Sequence, residues 1–386
     1  MNHPTRAVID VHVLQTLPPS CLNRDDTNAP KTALYGGARR ARVSSQSWKR
    51  ATRRYFNENL ATIGTDWLRS RGGGIRTRKL AGLLHERVQA RVRDLDVRED
   101  DVARLVNLAA GALLGLKEEK LKKRAQETQP ADLEYALFVS ESAIDAAVGE
   151  LERSLRAGDD LDLDVLTTAM GRDLSLDVAL FGRMIADTPN LNVDAACQVA
   201  HAISTHRVTS EFDFYTTVDD LAGDDETGAA MMGFIEFNSA TVYRFATVSL
   251  GRLADNLGDP DAVPTGVRAF IEAFAKSLPT GHQNTFAALT VPDLVFVSMR
   301  GDQPVSLVGA FEAPVESDRG YVHASAERLA TYADDIDGLY GVPRLNGWAS
   351  YVPKLEQAVA THLGDSIAFP QLLDAVEAAT AEHMAS

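Results

Sequence analysis

The chain has 386 residues, 45% of them hydrophobic, with a formal net charge of −15, a length and apolar content that suit two or three folding units or one core with large insertions. No run of about eighteen apolar residues is present, which excludes a membrane-spanning helix; the longest candidate, Val106 to Leu116, is short and interrupted by Gly and Asn. Cys21 and Cys197 lie far apart without a CxxC partner, so a zinc site or disulfide framework is not expected, and with no signal-peptide form at the N-terminus a cytoplasmic protein is.

The charge is unevenly placed. Residues 1–60 hold ten basic side chains against four acidic ones, a local balance of +6 that leaves −21 for the remainder. An acidic protein with one basic surface can bind a polyanion there and stay soluble elsewhere.

In chain order, Ala7 to Leu14 alternates Ile9, Val11 and Val13 against Asp10 and His12, predicting a half-buried first strand. A cation-rich loop with a Gly36-Gly37 turn signal follows. Ser44 or Ser45 can then cap a helix in which Trp48, Ala51, Thr52, Tyr55 and Phe56 form a packing stripe and Gln46, Lys49, Arg50 and Arg53 a polar one. Residues 61–177 have helical periodicity, with breaks at Gly72-Gly73-Gly74, which suggests a mobile loop, and near Pro130. VDAACQVAHAIS from Val193 reads as a buried helix or strand. Two alternating arms around Asp219 to Gly228 read as a long β-hairpin with a solvated acidic tip. A helix over Pro264 to Ser277, a hairpin from Leu294 through Gly301 to Ala310, and C-terminal helices complete the chain. Outside the insertion the order is strand, helix, strands, helix, strand, which fits an α+β split βαβ sheet of the ferredoxin or RNA-recognition type.

Guanidinium groups present a planar fork of donors and stay charged, so Arg24, Arg39, Arg40, Arg42, Arg50 and Arg53 suit phosphate oxygens, with Lys31 and Lys49 as point charges. A charge run can equally be a solvated face. Gly36 and Gly37 for close backbone approach, Ser44, Ser45 and Gln46 as neutral donors, and a helix N-terminus favour nucleic acid. On chemistry alone both readings stand. A second cationic patch, RSRGGGIRTRK with Arg87, Arg91 and Arg93, and the mixed-charge run KEEKLKKR carry no assignment. Phe212 and Phe214 share one strand face and read as core, with Tyr215 opposite; Met184 in LFGRMIAD reads as core filler. Phosphate-loop, GxSxG and HExxH motifs are absent. Asp25 and Asp26 can bind Mg²⁺ in principle or, more simply, shape the turn. GHQNT at 281–285 is a polar loop without an assigned role.

The segment VHVLQTLPPSCLNRDDTNAPKTALYGGARRARVSSQSWKRATRR closely resembles the N-terminus of the CasC-type backbone subunit of the type I-E CRISPR Cascade, and the resemblance continues through VALFGRM, VDAACQVAHAISTHRV, DFYTTVDDL and GFIEFNSATVYRFATVSL. It implies a modified RNA-recognition (ferredoxin-like) palm with helical fingers and a hairpin thumb: palm 1–60, fingers 61–177, palm 178–205, thumb 206–237, then palm and C-terminal helices over 238–386. It also implies a cofactor-free scaffold, not an enzyme, polymerising along a CRISPR guide RNA beside CasA, CasB, CasD and CasE types and presenting bases to target DNA. Lys31, Ser44, Gln46, Lys49 and Arg53 would grip the guide backbone, with Arg24, Arg39, Arg40, Arg42 and Arg50 as neighbours. Met184 would be the palm-side wedge, and Phe214, Tyr215 and Thr216 the thumb contacts. A related backbone type cleaves RNA with a loop carboxylate, which makes a metal-dependent endoribonuclease using Asp25 or Asp26 the alternative.

Overall fold

The computed structural model describes residues 7–63, 66–71, 73–171, 174–185, 189–217, 231–341 and 344–386. The chain divides into two compact units, one of residues 1–54, 198–249 and 270–386, the other of residues 55–197 and 250–269. Segments 178–197 and 250–269 thus group with the helical unit, whereas the sequence reading places them with the palm.

The strands are β1 (Val8–Ser20), β2 (Thr32–Tyr35), β3 (Ala38–Val43), β4 (Gly74–Thr77), β5 (Leu137–Ser140), β6 (Cys197–Val199), β7 (Ala202–Ser204), β8 (Glu211–Thr217), β9 (Met231–Ser249), β10 (Leu294–Arg300) and β11 (Asn346–Tyr351). The first unit is built on a sheet of order β11-β10-β1-β9-β7-β3-β2, with β6 and β8 also paired to β9. Its centre, β10-β1-β9-β7, has the strand order of a split βαβ fold, and its ladders are antiparallel. The two crossovers carry the helices expected, α1 (Ser45–Ile63) and the helix Val263–Lys276.

Both faces of this sheet are covered, because β1 is buried along both sides and not half-exposed as its alternation suggested: Asp10 and His12 are as inaccessible as Ile9 and Val11. On one face Leu17, Val43, Ala202 and Val242 pack with Trp48 of α1. On the other, Leu14, Tyr243, Phe245 and Phe296 pack under the 3-10 turn Leu307–Phe311 and the helices Val322–Tyr340 and Glu356–Leu363. The His12 ring is stacked within this second layer, 5.2 Å from Phe245 and 5.5 Å from Phe296, with Nδ1 2.9 Å from Tyr243 Oη. The expected second arm of the hairpin after Leu294 is this 3-10 turn. β10 finds its partners in β1 and in β11, a strand the sequence reading does not anticipate.

The second unit is helical around Leu80, Leu84, Val88, Val106, Leu113, Ile144, Val148 and Leu151. Leu80, Leu84 and Val88 repeat at the helical spacing of four. Ser140 caps the helix Glu141–Ala157 by accepting from the Ala143 N–H, and Gly158 ends it at φ 71°. The unit also holds a two-stranded sheet of β4 and β5, so part of the expected glycine loop is the first strand residue, Gly74, buried with its N–H on Asp177 Oδ1 at 3.0 Å.

Candidate nucleic-acid interface

The cation-rich loop is largely a β-hairpin. β2 and β3 pair through a two-residue turn with Gly36 at φ 55° and Gly37 at φ 70°, the doubly positive geometry that matches strand twist. Alternation along β3 then sorts its arginines. Arg39 is exposed, whereas Arg40 is fully buried and donates to the carbonyls of Ser204 (2.9 Å), Phe311 (2.8 Å) and Glu312 (3.1 Å). Arg40 is therefore a structural tie and not a phosphate ligand, a correction that follows from three carbonyls already occupying its fork. Arg42 and Lys31 are half-buried, with solvent access.

Helix α1 begins where Ser44 Oγ accepts from the Ser47 N–H at 3.3 Å. Ser44 is buried, so its hydroxyl, whose oxygen accepts at the cap, is out of a ligand's reach. The Ser45 N–H is taken as well, by Nδ1 of His201 at 3.0 Å. Burial, then the charges of Arg42 and Lys31, hold that imidazole below its ordinary pKa. The helix is seated by Trp48, whose ring lies 3.7 Å from the guanidinium carbon of Arg244 on β9. Arg244, fully buried, donates to Gln15 Oε1 at 2.6 Å and to the Phe274 carbonyl; desolvation lowers its pKa to about 9. A desolvated cation over an indole is worth about 2 kcal/mol. With Trp48 inward, Gln46 and Arg50 are exposed and Lys49 and Arg53 half-exposed, as the helical spacing predicts.

Ahead of the hairpin, Asp25 shapes a turn: its Oδ1 accepts from Thr27 N (2.9 Å), Thr27 Oγ1 (2.7 Å) and Ala29 N (3.0 Å), bonds that hold its carboxyl below the usual range. Asp26 is exposed beside it. Exposed Arg24 donates to Asn28 Oδ1 at 2.6 Å and lies 3.4 Å from His282 Nε2. That second contact brings in GHQNT. Gly281 lies so near the Leu22 carbonyl that a Cβ would meet its oxygen at 2.4 Å. His282 and Ala287, at φ 46° and 47°, flank the short helix Gln283–Phe286 in the left-handed region. A cleft beside it is lined by Arg54, Thr280, His282, Gln283, Asn284 and Thr285. His201, His282 and Gln283 are site candidates to which sequence reasoning gives no role. GHQNT is visible as a polar loop, but its approach to Arg24 is tertiary.

β9 is both sheet strand and hairpin arm: residues 238–249 pair with β1 and residues 231–237 with β8. The tip, 218–230, lies outside the described residues. Phe214 sits opposite Phe234 with ring centroids 5.2 Å apart, and these two and Phe212 are 52%, 70% and 69% exposed. The reading of Phe212 and Phe214 as core is thus corrected, because a two-stranded arm has no second layer to bury them. Tyr215 lies on the opposite face over Gly233, where a Cβ would come within 2.5 Å of its hydroxyl; Thr216 is exposed. In the helical unit Met184 is 85% exposed, which overturns its reading as core filler.

A family model described as "CT1975-like protein" matches residues 9–375. A solved chain described as "CRISPR RNA-guided surveillance complex, pre-nicking" is similar with a TM-score of 0.82 and 31% identity, over 97% of this chain and 100% of that one. A second, described as "CRISPR RNA-guided surveillance complex", gives 0.61 and 28%, over 96% and 99%. No curated protein matches.

Proposed function

The chain belongs to the CT1975-like family, and from that premise we propose that it is the guide-RNA-binding backbone subunit of a type I-E CRISPR Cascade complex, a cytoplasmic scaffold without catalysis of its own. The observation that carries this is the near-full-length likeness to a chain of an RNA-guided surveillance complex. The side-chain geometry supports where RNA would lie. An RNA-recognition sheet stacks bases on the aromatics of its open face, but here the face with Tyr243, Phe245 and Phe296 is sealed. RNA is left the cationic ledge outside it: Arg24, Lys31, Arg39, Arg42, Gln46, Lys49, Arg50 and Arg53.

On this reading the ledge holds ribose-phosphate and leaves base edges free, so the target DNA sequence is read by pairing. Copies join head to tail along the guide beside CasA, CasB, CasD and CasE types, an open arrangement that other subunits must end. The thumb of one copy, carrying Phe214, Tyr215 and Thr216, reaches over the next copy and displaces a nucleotide at regular intervals, with Met184 as the wedge. Co-purification is the test. Small RNAs of uniform repeat-derived sequence should accompany the protein, and adding guide RNA should convert it to large assemblies by size. A protein that stays small with RNA bound would be a free-standing module, and Mg²⁺-dependent cleavage of complementary RNA lost in Asp25→Ala or Asp26→Ala would be an endoribonuclease. Either result rejects the scaffold.

A further inference from the structure

A lone exposed methionine needs no explanation, but the backbone on both sides of Met184 is tied down with unusual thoroughness. Arg183 is 7% and Ile185 1% exposed, against 85% for Met184 between them. Arg183 exchanges both main-chain bonds with Val193, N–H to O at 2.9 Å and O from N–H at 2.8 Å. Its guanidinium donates from Nε and Nη2 to the Leu191 carbonyl (3.1 and 2.9 Å) and from Nη2 to the Met170 carbonyl (2.9 Å). On the far side the Ile185 N–H donates to Asn192 Oδ1 at 2.5 Å. Gly182, at φ 76°, lets the chain enter this buckle, where a Cβ would meet the Val193 oxygen at 2.7 Å.

Burial draws the Arg183 pKa down to about 10, so the fold tolerates a desolvated cation here. Among the described residues it meets carbonyl oxygens and no carboxylate. A planar fork can span the Leu191 and Met170 carbonyls at once; a lysine ammonium, a point donor on a flexible stem, cannot hold the same geometry. Ordering a flexible thioether at the moment of binding costs conformational entropy, and a fixed backbone lowers that cost.

We propose that Arg183 and Asn192 are positioning residues that brace the backbone on either side of Met184, so that its side chain projects from a fixed point as an apolar wedge against the face of a nucleobase. This rests on the reading of the chain as a guide-RNA backbone subunit. Arg183 and Asn192 touch no RNA in it; they act through Met184.

The test uses the full chain assembled on guide RNAs carrying adenine or cytosine at the positions compared, with the reactivity of those bases to dimethyl sulfate as the readout, beside guide retention and the Tm of the free protein. In the native protein, bases at regular intervals should react more strongly than their neighbours. Met184→Ala should reduce that contrast by about tenfold, the scale of removing one stacking partner from a base. Asn192→Ala and Arg183→Lys should reduce it comparably with guide retention unchanged. Asn192→Ala combined with Met184→Ala should lose no more than Met184→Ala alone, because a brace has nothing left to position. Full contrast in Asn192→Ala and Arg183→Lys while Met184→Ala loses it overturns the brace, as do additive losses in the double variant. If Arg183→Lys fails to fold, Asn192→Ala and the double variant decide. A native protein that retains guide RNA but shows no periodic contrast refutes the wedge; one that retains no guide refutes the backbone reading itself.

Discussion

Neighbouring arginines in one basic run do different work, and burial alone separates them. Arg39 and Arg50 reach solvent while Arg40 is fully buried with its donors on three carbonyls. Lys49→Glu or Arg50→Glu should weaken guide RNA binding almost equally for every sequence and reduce the slope of log K against log salt by about one for each phosphate no longer neutralised. Arg40→Ala should instead leave RNA affinity per folded molecule intact and destabilise the sheet unit by about 3 kcal/mol, since it strands buried carbonyls. Filter binding across a salt series, beside denaturant melts, separates the two; an Arg40→Ala protein that folds normally but has a flattened salt slope would contradict the assignment.

The element that places these side chains is a hairpin and a helix start held from behind. At the β2–β3 turn a Cβ on Gly36 would lie 1.6 Å from the Glu312 carbonyl oxygen, in a backbone at φ 55°. Gly37, at φ 70°, has open space around it. Gly36→Ala is therefore expected to cost at least about 2 kcal/mol and to disturb Arg39 and Arg42 together, whereas Gly37→Asn, which suits the left-handed region, should change stability by less than about 1 kcal/mol. Equal Tm shifts for the two variants would count against this account. The helix side depends on Arg244 beneath Trp48, so the ledge owes its shape to a cation that never meets the ligand.

At the scale of the whole molecule, the core of the sheet unit carries a buried titratable group that contributes to its acid sensitivity. His12 is held down to about 3 from the ordinary 6.5, by burial first and then by the charge of Arg300. Its folded pKa lies below the unfolded one, so protons bind the unfolded chain first, and stability present above about pH 6.5 is lost progressively toward pH 3. Asp10, pushed up to about 6 by burial, acts oppositely between roughly pH 4 and 6. His12→Phe should accordingly lose about 2–3 kcal/mol less than the native chain between pH 7 and 4.5. Melts that respond identically to acid would sink the assignment. Much is legible in the primary structure because it is local: the concentration of cations, the α1 stripe from Gln46 to Arg53, the glycine turn and the strand–helix order each follow from spacing along the chain. What the tertiary structure alone decided is which polar groups remain free. It committed Arg40 to three carbonyls, Ser44 to a cap and the aromatic sheet face to the C-terminal helices, it left Phe214 and Met184 exposed where their sequence pattern reads as core, and it set GHQNT beside Arg24. The reason is physical: periodicity reports which face a side chain takes on its own element, and burial depends on what distant segment comes to cover that face.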